Sequence, residues 1–69
     1  MECAYIVYFE SDTANTVHPV RVFSHPFDAI QYCNEKAFRM VVNKDKTVYI
    51  NSKGRYYIKM VCKKIRRPN

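Results

Sequence analysis

Tyrosines and cations in the second half of the chain have the types and spacing needed to bind a nucleic-acid strand. Within a predicted strand over 55–64, side chains alternate so that Tyr57 shares one face with Arg55, Lys59 and Lys63. Aromatic rings stack on bases, each stacked base contributing about 1–3 kcal/mol, while Arg and Lys neutralise phosphates. This spacing therefore predicts a basic sheet face with stacking tyrosines.

The predicted site extends beyond that strand. Tyr49 is expected opposite Tyr57 on the neighbouring strand, and the basic run that follows the last strand would lengthen the phosphate contacts. An ordinary solvated face and a solubilising tail remain alternatives. The predicted nucleic-acid-binding residues are Arg39, Tyr49, Arg55, Tyr57, Lys59, Lys63, Lys64, Arg66 and Arg67.

The charge distribution supports a polyanionic or acidic partner. Residues 1–37 carry a formal net charge of −3 and residues 38–69 carry +9, which gives +6 for the 69-residue chain. A field so uneven attracts polyanions or an acidic protein surface to one side of a molecule.

Catalytic and metal chemistry are not indicated. The three cysteines are far apart in the sequence, and neither His18 nor His25 lies at zinc-finger spacing from one of them. Cys33 falls on a predicted apolar helix face, where a thiol stays protonated and inert. We expect no catalytic residue, no metal and no cofactor. The odd cysteine count favours three reduced thiols in a cytoplasmic protein, although two of them could pair.

Six elements are expected to position the site. Runs of β-branched and aromatic residues predict strands over 3–9 and 17–23, the first of them internal to the sheet and paired with the second as a hairpin. Ser24 is the predicted N-cap of a helix over 26–37, with Pro26 and Asp28 in its first turn. Further strands are expected over 39–43, 47–51 and 55–64.

The side-chain periods predict how these elements pack. On a 3.6-residue period Phe27, Ile30 and Cys33 share the helix face expected to meet the sheet. A three-residue loop ending at a left-handed Gly54 would place Ile50 opposite Tyr56 and Tyr49 opposite Tyr57. The residues expected beneath the helix are Met40, Val42, Val48, Ile50, Ile58, Met60 and Cys62.

The element order predicts an α+β fold with the order ββαβββ, in which one helix packs on one face of an antiparallel sheet. A single small domain is expected over residues 1–64, and a basic, frayed tail over 65–69.

The segment 22–35, which reads Val-Phe-Ser-His-Pro-Phe-Asp-Ala-Ile-Gln-Tyr-Cys-Asn-Glu, resembles small accessory proteins of large tailed phages. In those proteins a strand ending in Phe-Ser leads into a helix that contains Ala and ends in a sequence similar to Tyr-Cys-Asn-Glu. The resemblance covers about a fifth of the chain. It implies a host-takeover product that binds and inhibits a host component in the host cytoplasm, and it assigns no functional residue.

These observations favour a non-enzymatic binding module for RNA or single strands, because tyrosines on a sheet stack splayed bases. The alternative is an inhibitor or adaptor whose cations engage an acidic protein surface. No membrane partner is expected, since the longest apolar run spans only residues 3–9. The apolar first strand also leaves open a homodimer formed through a strand edge.

Overall fold

A computed structural model describes residues 2–63 and confirms the α+β class and the ββαβββ order. The predicted tail over 65–69, with Lys64, Arg66 and Arg67, lies outside the described residues. The elements are β1 (Glu2–Ser11), β2 (Val17–Phe23), α1 (Pro26–Lys36), β3 (Arg39–Asn43), β4 (Lys46–Asn51) and β5 (Gly54–Lys63).

The five strands form one antiparallel sheet in the order β2-β1-β5-β4-β3. The two longest strands, β1 and β5, lie at its centre and pair along their whole length, from Glu2 opposite Lys63 to Ser11 opposite Gly54. The predicted β1–β2 hairpin and the internal position of β1 are both confirmed.

Helix α1 begins one residue later than a Ser24 cap would allow. The N-cap is His25, in extended backbone at φ −124° and ψ 138°, and it makes no side-chain capping bond. Steric conflict with a following proline disfavours the helical region, so Pro26 holds His25 extended and takes the first helical position itself. The Ser24 prediction is therefore wrong, whereas Asp28 does lie in the first turn.

The helix docks through small side chains. Ala29 and Cys33 are fully buried against the sheet, and Tyr32 packs beside Phe23 with ring centroids 5.7 Å apart. The prediction that Phe27 faces the sheet is wrong, since Phe27 is 81% exposed, whereas Ile30 is only 37% exposed and lines a cavity with Tyr49 and Ile58 of the sheet. Small residues let the helix approach the strands closely, and the ring of Phe27 is left in solvent.

The β4–β5 hairpin has a two-residue loop, Ser52 and Lys53, rather than the predicted three. Tyr49 consequently lies opposite Tyr56, and Ile50 opposite Arg55. The predicted pairs, Ile50 with Tyr56 and Tyr49 with Tyr57, are wrong by one residue. Because side chains alternate between faces, this single step moves Tyr49 beneath the helix and Val48 and Ile50 to the opposite face.

Asn51 and Gly54 explain the shorter loop. The Asn51 Oδ1 accepts hydrogen bonds from the backbone N–H groups of Lys53 (2.9 Å) and Gly54 (3.0 Å). Gly54 has no positive φ, contrary to the prediction. It is buried where β5 meets β1, and an added Cβ would lie against the carbonyl oxygen of Glu10 and the ring of Phe9. Glycine is required there by close approach of two strands.

The core is small. Val7, Ala29, Cys33 and Tyr49 are buried, with half-buried apolar side chains such as Ile58 around them. Of the residues expected beneath the helix, Met40, Val42, Met60 and Cys62 remain exposed. An eleven-residue helix cannot cover a five-stranded sheet, so it covers mainly the centre.

The prediction of three reduced thiols is wrong. Cys3 and Cys62 form a disulfide between β1 and β5, and Cys33 is free and buried. The pairing follows from the register, which places Cys3 directly opposite Cys62. Disulfides are most common in oxidising compartments. The cysteines therefore no longer support the predicted cytoplasmic location.

Candidate nucleic-acid interface

The face of the sheet away from α1, here called the open face, carries most of the predicted site. Strand registers assign its members at alternate positions. The central and flanking strands contribute Ala4, Ile6, Tyr8, Glu10, Arg39, Val41, Lys46, Val48, Ile50, Arg55, Tyr57, Lys59, Val61 and Lys63.

Tyr57 lies on the open face as predicted. Its ring stacks on that of Tyr8, the cross-strand neighbour on β1, with centroids 5.4 Å apart and planes inclined by 17°. The Lys46 ammonium lies 5.7 Å from the centre of the Tyr57 ring. The Tyr8 and Tyr57 rings therefore stack on each other, while the Lys46 ammonium on β4 lies over the Tyr57 ring from the opposite side. We call these two rings the tyrosine pair.

Tyr8 and Lys46 were not among the predicted site residues. Sequence alternation does place Tyr8 on one face of β1 with Ile6, but it cannot say which strand lies beside β1. Lys46 fell between the strands predicted over 39–43 and 47–51, whereas it is the first residue of β4. Its pairing opposite Asn43 directs it to the same face as Val48.

Tyr49, the second predicted stacking residue, is not on the open face. It is 4% exposed and belongs to the core beneath α1. Burial, together with the nearby Cys33, raises the pKa of its hydroxyl. A base cannot reach this ring while the helix is in place. The predicted pairing of Tyr49 with Tyr57 as a stacking unit is therefore wrong.

The predicted cations within residues 2–63 divide into three that pair with no described carboxylate and one that does. Arg39, Lys59 and Lys63 are exposed on the open face. Arg55 lies there too, but its guanidinium is 3.5 Å from a carboxylate oxygen of Glu10 and 3.8 Å from one of Asp12. Such exposed ion pairs contribute little to stability, yet they cancel charge seen by a ligand. Arg55 thus presents less net charge to an anion than Lys59 does.

The open face also carries apolar side chains. Val22, Val41 and Val61 are exposed on it, and Ile6 and Ile50 are half-buried. The open face therefore combines an aromatic and aliphatic centre with a cationic border. That composition suits a ligand with flat, weakly polar rings and a negatively charged backbone.

Cys33 has no nucleophilic role in this arrangement. Burial raises the pKa of its thiol from 9.0 to about 11, so the thiolate is scarce at neutral pH. His18 lies edge-on to Phe9 with ring centroids 6.1 Å apart, and His25 caps the helix. The two histidines thus occupy structural positions on β2 and before α1.

The raised pKa of Cys33 leads to a prediction for protein in which the Cys3–Cys62 disulfide is formed and Cys33 is the free thiol. Native protein should fail to react with a disulfide reagent at neutral pH and react fully once unfolded. Because folding raises the pKa of Cys33, its buried neutral thiol stabilises the fold fully below the unfolded pKa of 9.0, and this stabilisation declines as pH rises through about 11. Urea titrations between these two pH values measure the decline in the free energy of unfolding. A fast-reacting native thiol would contradict the buried position.

Comparison with known proteins finds no matching family model, curated protein or solved structure. Within residues 2–63, α1 is too short to cross a bilayer.

Proposed function

We propose that this protein is a non-enzymatic binding module whose open face holds single-stranded nucleic acid. The observation that carries the proposal is the tyrosine pair, Tyr8 stacked on Tyr57, with Lys46 beside it and Lys59 on the same strand as Tyr57. In this proposal an unpaired base takes the place of the flexible Lys46 side chain over the Tyr57 ring, and the phosphates beside it bind Lys and Arg.

The arrangement favours a single strand over a duplex. An open sheet is a broad surface, whereas the major groove of a duplex admits a helix or a two-stranded ribbon. The helix here exposes Asp28 and Glu35 on its polar side, and a phosphate backbone would be repelled by them. Within the open face, Arg39 on β3 and Lys59 on β5 lie on either side of Ile50 and Tyr57, so a strand could cross between them.

An inhibitor or adaptor that binds an acidic protein is the second candidate. The specific observation in its favour is the number of exposed valines on the open face, which include Val22, Val41 and Val61. Exposed apolar patches with a charged border also mark protein-binding surfaces. The two candidates differ in one respect, because only nucleic acid requires the flat face of Tyr57 for stacking, whereas binding through the cations weakens with salt in both.

We predict that Tyr57→Ala weakens binding of a fluorescent single-stranded RNA by roughly 5- to 150-fold, the equivalent of about 1–3 kcal/mol for one lost stacking contact. Tyr57→Phe keeps the ring and should bind nearly as well as the native chain. Phe27→Ala, which removes an exposed ring on the helix side, is the matched control and should leave binding unchanged.

A salt series completes the test. Log affinity should fall linearly with log salt, and Lys59→Ala should reduce the slope by about 0.7 for a single strand, the change expected for one phosphate contact. Lys36→Ala on the helix should leave the slope unchanged. Binding that ignores Tyr57, or that equals that of an unstructured polycation, would reject the nucleic-acid proposal in favour of the acidic protein.

A further inference from the structure

The sheet opens between β4 and β5 at the end where the helix begins. The β4–β5 ladder stops at the pair Tyr49–Tyr56, although β4 begins at Lys46 and β5 continues to Lys63. Beyond that pair, β4 remains paired with β3, and β5 remains paired with β1. The sheet therefore divides into two hairpin-like halves at this end, with unpaired backbone between them.

A cavity of about 300 Å³ lies in this opening, on the helix side of the sheet. Thr47 of β4 and Ile58 of β5 line it from the two strands that no longer pair. Ile30 of α1, Tyr5 of β1 and Met60 of β5 line it as well. Small-molecule sites are mostly apolar, contain a few polar groups and occupy roughly 300–1,000 Å³, so this cavity suits a small ligand.

Tyr49 supplies an unused polar group to the cavity. Its side chain is only 4% exposed, yet it belongs to the cavity lining. Its hydroxyl forms no hydrogen bond with another residue within 2–63. In the same range no side-chain oxygen that is closed off from solvent lacks a partner. The hydroxyl oxygen must therefore reach open space, and the cavity is the space beside it.

Asp45 gives the cavity its charge. It is the one charged residue among the described lining residues, and it is exposed in the β3–β4 turn. Its carboxylate forms no ion pair with a described cation. The neighbouring Lys46 extends to the Tyr57 ring on the open face, and Lys59 lies on that face too. A carboxylate attracts a cation and repels an anion, so the cavity favours a positively charged ligand.

We propose that this cavity binds a small organic amine, whose ammonium group pairs with Asp45 and whose apolar part packs on Ile30 and Ile58. An ammonium group has several N–H donors, so it can also donate a hydrogen bond to the Tyr49 hydroxyl oxygen. A neutral ligand of the same shape would leave the carboxylate unpaired. The proposal does not depend on nucleic-acid binding, because the cavity and the tyrosine pair lie on opposite sides of the sheet.

Amide NMR titrations with three matched probes test the proposal. Phenethylamine is protonated at neutral pH, phenethyl alcohol is its uncharged counterpart, and hydrocinnamate is an anion of similar size. The amine should shift the amide signals of lining residues such as Thr47, Ile58 and Met60. It should bind about 5-fold or more tightly than the alcohol, as expected for an ion pair that is also a hydrogen bond. Hydrocinnamate should bind most weakly.

Two variants locate the ammonium group. Asp45→Asn should reduce the affinity for the amine to that for the alcohol and leave the alcohol unaffected, and asparagine is well tolerated in turns. Asp28→Asn is the matched control, because it makes the same change at an exposed acid outside the cavity, and it should alter neither affinity. Tyr49→Phe should weaken amine binding without lowering the unfolding midpoint, since the hydroxyl has no partner in the fold.

The controls also separate this proposal from nucleic-acid binding. Tyr57→Ala, which is expected to weaken RNA binding, should leave the affinity for the amine unchanged. An amine that binds no better than the alcohol overturns the proposal, and so does amine binding that survives Asp45→Asn. Signal shifts confined to the open face would place the amine outside the cavity and overturn it as well.

Discussion

Replacing both Cys3 and Cys62 with serine should lower the free energy of unfolding by about 4 kcal/mol. The disulfide joins residues 59 positions apart, and in the chain-entropy view a cross-link of that span greatly restricts the unfolded ensemble. A domain of this size has a total stability of only roughly 3–10 kcal/mol, so the loss is a large part of the whole. Urea titration of the variant and the native chain measures it.

Reductant supplies the control within the same experiment. Adding it to the native chain should reduce the unfolding midpoint to that of the Cys3→Ser, Cys62→Ser variant, and it should leave the variant itself unchanged. Equal midpoints for oxidised native protein and the variant would show that the pair does not stabilise the sheet. Native mass that does not rise by two hydrogens on reduction would show that the bond is absent.

Tyr49→Ala should cost about 3–5 kcal/mol of stability, as expected when a buried aromatic ring is removed and a cavity remains. Tyr49 is one of four buried core residues and lies next to Tyr56 across the β4–β5 pair. The matched control is Tyr57→Ala, which makes the same substitution at the residue after Tyr56, where the side chain lies on the open face. Its main cost is the stacked contact with Tyr8, about 0.5–1.5 kcal/mol.

The expected difference in stability between the Tyr49→Ala and Tyr57→Ala variants depends on the β4–β5 register. If Tyr49→Ala and Tyr57→Ala destabilise equally, Tyr49 is not in the core and the three-residue loop becomes the better description of the hairpin. Thermal melts followed by near-ultraviolet circular dichroism suit the comparison, since tyrosine packing dominates that signal in a chain without tryptophan.

The sequence was sufficient to predict the elements and their order, because periods of 2 and 3.6 residues and the turn residues are local signals. The register of the β4–β5 hairpin, in contrast, is not determined by local sequence signals. Gly54 was interpreted as the left-handed end of a loop, but its role is to let β5 approach Glu10 on β1. That reason exists only once the first and last strands are neighbours.

The orientation of the helix was undetermined for a similar reason. The predicted face contained Phe27, Ile30 and Cys33, because hydrophobicity on a helical period favours large side chains; Cys33 is buried as predicted, but Ala29 takes the place expected for Phe27. The choice depends on the space above the sheet, which is already occupied by Tyr49, Tyr56 and Ile58. Only small side chains fit between these residues and the helix axis.

The candidate site was predicted in part. The cations and Tyr57 followed from alternation within β5, a single uninterrupted strand. Tyr49 was misplaced because its face depends on the loop length, and Tyr8 was missed because it comes from the opposite end of the chain. A pairing between the first and last strands leaves no mark in local composition.

That same pairing has a consequence for how the chain acquires its structure during synthesis. Strand β1 is translated before, and β5 after, the other described elements, so one edge of β1 stays unpaired until residues up to 63 have been translated. Contacts of such long range are slow to form. A shortened product that ends before Gly54 would expose the apolar edge of β1 and would be a substrate for chaperones and proteases.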